Sequence, residues 1–137
     1  MTRAIFAFAF MLVSSAAYAG EAEKALTARW YDALAKVDRV EIAALLSDKA
    51  KINLGDLDIE QTKAEFINSL DEWEDAMKGS TIRHAVESES DGILTELVCY
   101  TFPDNESLAR ESFRFDGNQI LESNQETLSE SCAEFPQ

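Results

Sequence analysis

The sequence predicts an α+β fold in which three N-terminal helices pack on one face of a curved antiparallel sheet. Two observations carry this prediction. Apolar residues recur at helical spacing as far as Gly79, and beyond it they recur at every second position. Helices followed by a run of strands are typical of helices laid on an antiparallel sheet. Because sheets twist, the covered face becomes concave, and such a face can hold a pocket for a small molecule.

The first two helices are predicted from apolar spacing and one capping pair. Residues 21–37 place large apolar side chains on one helical face, among them Leu26, Trp30 and Leu34. Asp38 precedes Glu41 by the spacing of an N-terminal cap and begins a short helix that ends near Asp48. Residues 50–54 alternate and predict a short strand, which is followed by a turn at Gly55.

The third helix carries the clearest local signals. Thr62 and Glu65 form a T-x-x-E capping box at its start. Its apolar face then repeats at helical intervals through Phe66, Leu70, Trp73 and Met77. Gly79 stands where a glycine commonly ends a helix.

Strands are predicted for the rest of the chain, because apolar and polar residues alternate there between turn signals. The predicted strands are residues 81–88, 93–102, 108–115 and 119–128. The turns are marked by Asp91-Gly92, by Pro103-Asp104 and by Asp116-Gly117, and the last is a strong hairpin signal. The result is an antiparallel meander that follows the helices.

The first 19 residues predict an exported protein. Arg3 precedes a short apolar run, and small residues lead to an A-x-A cleavage site at Ala17-Tyr18-Ala19. The apolar run is too short for a transmembrane helix. We therefore expect a signal peptide at 1–19, a single domain at 20–137 that begins at Gly20, and a periplasmic or secreted location.

The charge of the chain limits its partners. The formal net charge is −14, and the segment before Gly20 contributes one positive charge, so the mature part is more acidic still. This charge opposes binding to nucleic acid and to anionic membrane surfaces. Its simplest interpretation is solubility, and the alternative is an acidic patch that binds a basic partner.

Both cysteines, Cys99 and Cys132, lie in the predicted mature part. In an exported protein with an even cysteine count, a disulfide is the leading interpretation. Two alternatives stay open, namely two free thiols and a reactive thiol. Their spacing matches no metal site and no C-x-x-C redox motif, so no metal is expected.

The chain resembles the nuclear transport factor two-like (SnoaL-like) superfamily. The resemblance rests on R-W-Y-D-A-L at 29–34, on the segment 37–48, on the capped third helix and on F-R-F-D-G at 113–117. It implies a cone-shaped, cystatin-like α+β fold and a homodimer formed through the exposed face of the sheet. This fold supports enzymes, ligand carriers and interaction modules, so activity must be argued from the site.

Ketosteroid isomerase has this fold, and its functional positions can be compared with this sequence. The family's tyrosine on the first helix falls near Trp30, while Tyr31 is predicted to point about 100° away. The strand that carries the family's base has no carboxylate at 52–54. Glu111 occupies the position of the family's protonated acid. With one role of three filled, we expect a different activity.

Glu111 is the most informative titratable residue. Strand alternation places it on the apolar face with Phe113, where burial would raise its pKa, although a structural pairing is the alternative interpretation. Five aromatic residues lie on helix and strand faces that could meet in the fold. They either line a pocket together with Glu111 or simply fill the core. These are Trp30, Phe66, Trp73, Tyr100 and Phe113.

Two further polar features have mainly structural interpretations. His84 alternates with apolar residues on a strand, and a structural histidine is expected there unless a carboxylate lies within reach. The D-L-D-I-E segment at 56–60 lacks the pattern of a calcium loop and is interpreted as a solvated loop.

These features predict a small exported protein that binds a partly apolar ligand or a protein partner without strong catalytic machinery or a cofactor. The alternative is a proton-transfer enzyme, isomerase- or hydrolase-like, that uses Glu111 together with His84 or Tyr31. A structural or inhibitory accessory protein is the third class. An open cavity that reaches Glu111 would favour the binder or the enzyme.

Overall fold

The computed structural model describes residues 16–137. Its helices are α1 (Ala16–Lys36), α2 (Arg39–Leu45), α3 (Lys63–Asn68) and α4 (Leu70–Met77). Its strands are β1 (Leu46–Leu54), β2 (Ile59–Thr62), β3 (Thr81–Ser90), β4 (Ile93–Thr101), β5 (Glu106–Asp116) and β6 (Gln119–Ser129). A short 3-10 turn, Gly55–Leu57, connects β1 to β2.

All the strands belong to one curved sheet, and the predicted α+β class is confirmed. The strand order is β2-β1-β6-β5-β4-β3, so the last four strands form the predicted antiparallel meander. The strand predicted at 50–54 is part of β1, which pairs in parallel with β6 and antiparallel with β2, a strand that the sequence did not predict. Residue alternation alone does not indicate this pairing, because it depends on contacts between distant parts of the chain.

The boundaries near β1 differ from the prediction for identifiable reasons. Helix α2 has the predicted Asp38 cap, but it ends at Leu45 rather than near Asp48. Leu46 is extended and fully buried, so the chain enters the sheet immediately. The predicted solvated segment after Gly55 contains β2, which pairs with β1 although its residues are exposed or half-buried.

The third predicted helix is broken into α3 and α4 at Ser69. The Ser69 hydroxyl donates to the carbonyl of Phe66 at 2.6 Å, and this local bond competes with a regular helical ladder. The predicted capping box of Thr62 and Glu65 is present at the start of α3. Gly79 follows α4 with a φ of +71°, which is the left-handed conformation that favours glycine.

The main core lies between the helices and the concave face of the sheet. It joins Tyr31 of α1, Leu45 of α2 and Leu70 of α4 to Val98 and Phe113 of the strands, all of them buried. The helices therefore cover the concave face as predicted. One end of this layer is left open as a cavity.

A second, smaller apolar cluster lies on the outer face of the sheet. The disulfide Cys99–Cys132 is present, with a Cα–Cα distance of 5.8 Å, and it fixes the C-terminal segment against β4. Phe135 and Leu108 pack beside the disulfide. The predicted bridge is thus confirmed, and part of the outer face is covered by the chain itself.

The predicted signal segment lies largely outside the described residues. Helix α1 begins at Ala16, so the predicted cleavage position after Ala19 falls in its first turn. Within residues 16–137, no helix combines the length and the apolar character that crossing a membrane requires. Cleavage and export remain predictions.

Candidate functional site

A cavity of about 510 Å³ opens between α1, the α3–α4 pair and the concave face of the sheet. Its wall is mainly aromatic and aliphatic, and Leu57 and Ile59 are the large exposed apolar residues on it. Glu111 and Glu72 are the acidic residues on the described wall, and only Glu111 is buried. The cavity thus combines an apolar wall, an open mouth and one buried carboxyl group.

The aromatic wall is held by contacts that fix its orientation. The rings of Trp30 and Phe66 stack with centroids 5.5 Å apart. The Trp73 indole donates from Nε1 to the carbonyl of Leu34 at 2.9 Å, and its ring meets Tyr100 edge to face at 6.0 Å. Because these side chains already have partners, the cavity is largely preformed.

The cavity wall includes Trp30, Phe66, Trp73, Tyr100 and Glu111, as the pocket hypothesis expects. Phe113 does not line the described cavity. It is fully buried in the core, where its ring meets Tyr31 edge to face at 6.1 Å.

Glu111 accepts hydrogen bonds from two tyrosines. The Tyr31 hydroxyl donates to Oε1 at 2.9 Å, and the Tyr100 hydroxyl donates to Oε2 at 2.5 Å. Only 4% of Glu111 is exposed. The carboxyl group is therefore positioned from α1 on one side and from β4 on the other.

Burial raises the pKa of Glu111 from 4.5 to about 7, in the direction that the sequence predicts. The hydrogen bonds from Tyr100 and Tyr31 oppose this rise by stabilising the charged form, whereas the negative charge of Glu96 adds to it. The pKa values of Tyr31 and Tyr100 are raised well above 10, first by burial and then by the charge of Glu111. Both hydroxyls therefore remain protonated donors near neutral pH.

Tyr31 is closer to the site than the helical spacing predicts. Trp30 and Tyr31 are each only 2% exposed, so α1 buries two adjacent faces. Trp30 lines the cavity, while Tyr31 contacts the sheet beside Glu111. Phe66 of α3 packs against Trp30 while the sheet packs against Tyr31, and a one-sided amphipathic pattern does not indicate this second contact.

Glu96 is a second buried carboxylate that the sequence analysis missed. It is 1% exposed and lies directly opposite Glu111 in the pairing of β4 with β5. His84 Nδ1 lies 2.8 Å from its Oε1, and the His84 ring stacks on Tyr31 with centroids 4.6 Å apart. Alternation with Leu94 and Val98 on β4 is the signal that could have identified Glu96.

Asp56, from the predicted solvated loop, has a structural role. Asp56 Oδ2 accepts from the backbone amide of Thr127 at 2.8 Å, which attaches the turn after β1 to β6.

The residues described contain no cluster of three or more His, Cys, Asp or Glu side chains arranged for a metal ion. On β1, Ile52 and Leu54 line the cavity, so the strand that the resemblance to ketosteroid isomerase matches with the base-bearing strand presents apolar side chains here.

The fold is shared with many solved structures, at low sequence identity. An NTF2-like protein of unknown function from Burkholderia xenovorans superposes with a TM-score of 0.66 and 11% identity, covering 86% of this chain and 95% of that one. A candidate ketosteroid isomerase from Kribbella flavida superposes with a TM-score of 0.65 and 14% identity, covering 85% of this chain and 89% of that one. A candidate SnoaL-like polyketide cyclase from Shewanella putrefaciens superposes with a TM-score of 0.61 and 18% identity, covering 90% of this chain and 92% of that one.

No protein-family model and no curated protein matches the sequence. The structural similarity nevertheless defines the class of molecule, an α+β cone with a cystatin-like sheet. Within that class, the chain has the nuclear transport factor two-like (SnoaL-like) fold, as the sequence resemblance implies.

Proposed function

We propose that this protein is an exported binding protein for a small, largely apolar molecule that carries one polar oxygen or nitrogen. The observation that carries the proposal is the buried Glu111 carboxyl on the wall of an otherwise mainly apolar cavity. A polar atom on the ligand would bind this carboxyl, and the rest of the ligand would contact the aromatic wall. The cavity volume of about 510 Å³ fits a molecule of one to three fused rings.

The charge of Glu111 defines which polar atoms suit the site. With a pKa of about 7, the carboxyl is partly neutral and partly ionised near neutral pH. The neutral form donates a hydrogen bond to a ketone or ether oxygen, and the ionised form accepts one from a hydroxyl or an amine. The pH dependence of binding would therefore distinguish a ligand that accepts from one that donates.

A proton-transfer enzyme is the second candidate, and one observation favours it. A carboxyl with a pKa of about 7, held by Tyr31 and Tyr100, suits a general acid or base at neutral pH. Two structural neighbours carry isomerase and cyclase names, at 14% and 18% identity. Ile52 and Leu54 make that part of the wall apolar, so it offers no second acid or base, and for this reason we prefer the binding function to the enzymatic one.

Calorimetric titration with two defined probes tests the binding proposal. The probes are 2-tetralone, which accepts a hydrogen bond through its ketone, and 2-naphthol, which can donate one. The proposal expects saturable binding of at least one probe and a loss of about tenfold or more in Glu111→Gln. Glu130→Gln, which changes an exposed carboxylate beyond β6, is the matched control.

Absence of binding by both probes at millimolar concentration, or equal binding by Glu111→Gln, would contradict the proposal. Deuterium exchange at the α-carbons of 2-tetralone, followed by proton NMR, tests the enzyme alternative in the same samples. Exchange that is faster with the protein than with Glu111→Gln would favour proton transfer.

A further inference from the structure

Glu96 and His84 are buried or half-buried titratable groups that the binding proposal does not use. Glu96 is 1% exposed, and its Oε2 has no hydrogen-bond partner among the described residues. Its Oε1 lies 2.8 Å from His84 Nδ1. A buried carboxylate with a single contact is costly, so its place in the core calls for a reason beyond packing.

We propose that Glu96 and His84 are positioning residues that control the charge of Glu111, so that protonation of the half-buried His84 alters the polar group of the cavity. This inference rests on the proposed function only in that Glu111 is the polar group of the cavity. The control itself can be measured without any ligand.

The pairing of the strands places the two glutamate side chains side by side on one face of the sheet. Glu96 and Glu111 are direct partners in the register of β4 and β5. Residues paired in this way have Cβ atoms about 4.5–5.5 Å apart and share a face of the sheet. At that separation, and away from water, the charge of one carboxylate strongly disfavours the charge of the other.

His84 connects this buried pair to solvent. It lies on β3, at the edge of the sheet, and its side chain is 31% exposed. Its ring stacks on Tyr31, whose hydroxyl donates to Glu111. A proton gained from solvent by His84 therefore adds a positive charge close to both glutamates.

The two states of His84 have opposite effects on Glu111. A protonated His84 neutralises an ionised Glu96, so Glu111 faces little net charge from the pair. A neutral His84 leaves the negative charge of Glu96 uncompensated, which favours the neutral form of Glu111. As the pH rises, loss of the His84 proton thus delays ionisation of Glu111, and the Glu111 titration becomes shallow.

The other groups that face Glu111 do not alter its charge in the way that Glu96 and His84 do. Tyr31 from α1 and Tyr100 from β4 remain protonated donors, as described above. Gln125, its partner on β6, is uncharged. Glu72 of α4 lines the cavity but is exposed, so solvent screens its charge.

Carbon-13 NMR of the glutamate side-chain carboxyls tests the proposal directly. The Glu111 resonance is the one lost in Glu111→Gln. In the full chain we expect a shallow Glu111 titration, with an inflection where the His84 ring protons also titrate. In Glu96→Gln, the midpoint should fall by about one pH unit, because the negative charge opposite Glu111 is then absent.

Glu126→Gln is the matched control, because it removes an exposed carboxylate from β6, and it should leave the Glu111 curve unchanged. An unchanged Glu111 midpoint in folded Glu96→Gln would overturn the proposal. If that variant does not fold, a Glu111 curve with no inflection at the His84 midpoint in the unsubstituted protein overturns it equally. Coupled titration without probe binding would support this inference while contradicting the proposed function.

Discussion

Replacing Glu111 by glutamine should make the stability of the protein less dependent on pH. The folded-state pKa of Glu111 is about 7, against an ordinary value of 4.5. The folded protein therefore keeps a proton on Glu111 that the unfolded chain releases between these two pH values. The stabilising effect of this proton is fully present below pH 4.5 and is lost as the pH rises through 7.

The magnitude follows from the size of the pKa change. At about 1.4 kcal/mol per unit of pKa, a rise from 4.5 to about 7 corresponds to roughly 3.5 kcal/mol over the whole titration. Glutamine can accept from one tyrosine hydroxyl and donate to the other, so it keeps both contacts without titrating. The free energy of unfolding of Glu111→Gln, measured relative to that of the unsubstituted protein, should therefore increase by about 3 kcal/mol from pH 4.5 to pH 7.5.

Urea denaturation followed by far-ultraviolet circular dichroism, at intervals across this pH range, measures the difference. Glu130→Gln is the control and should follow the unsubstituted protein at every pH. A difference between Glu111→Gln and the unsubstituted protein that stays constant with pH would refute the argument. A clear loss of stability at pH 7.5 would mean that Glu111 is an ionised structural partner of the tyrosines.

Three other predictions concern processing, the disulfide and assembly. Mass spectrometry of exported protein should give a mature chain that begins at or within a residue or two of Gly20, whereas an intact Met1 chain would contradict export by this route. Breaking the bridge with Cys99→Ala plus Cys132→Ala should lower the free energy of unfolding by about 3–4 kcal/mol in urea, and an unchanged midpoint would show that the bridge contributes nothing. Light scattering at moderate salt should detect a homodimer formed through the outer face of the sheet, and a pure monomer would count against that expectation.

The outer face offers less free surface to such a dimer than the sequence suggests. Arg110 of β5 is held by Glu87 of β3, across the intervening strand β4, with an N–O distance of 2.7 Å. The C-terminal segment around Phe135 covers part of β3 and β4, where Arg83 lies 4.9 Å from the Phe135 ring centre. A dimer would therefore use the uncovered part of the sheet toward β6 and β1.

Local signals in the sequence predicted the elements that depend on local interactions. The Asp38 cap and the capping box at Thr62 are contacts between residues three apart, and both are present. Asp91 and Gly92 both have positive φ angles, as a tight two-residue hairpin turn requires. Such features can be predicted because the residues that determine them are adjacent in the chain.

The features that were missed depend on contacts between distant residues. The parallel pairing of β1 with β6 joins Ile52 to Ser123, and no local pattern marks it. Tyr31 reaches Glu111 across 80 residues of sequence, because α1 packs on the sheet with one face and on α3 with the adjacent face. Glu96 is a different case, since the alternation that identified Glu111 applied equally to its own strand.

The cavity wall also gives the protein an intrinsic optical probe. The chain contains two tryptophans, and both Trp30 and Trp73 line the cavity. All of the tryptophan emission therefore originates beside the cavity, with no contribution from elsewhere in the fold. Collisional quenching by acrylamide would measure how freely small solutes enter the mouth, and a ligand that fills the cavity should protect both indoles together.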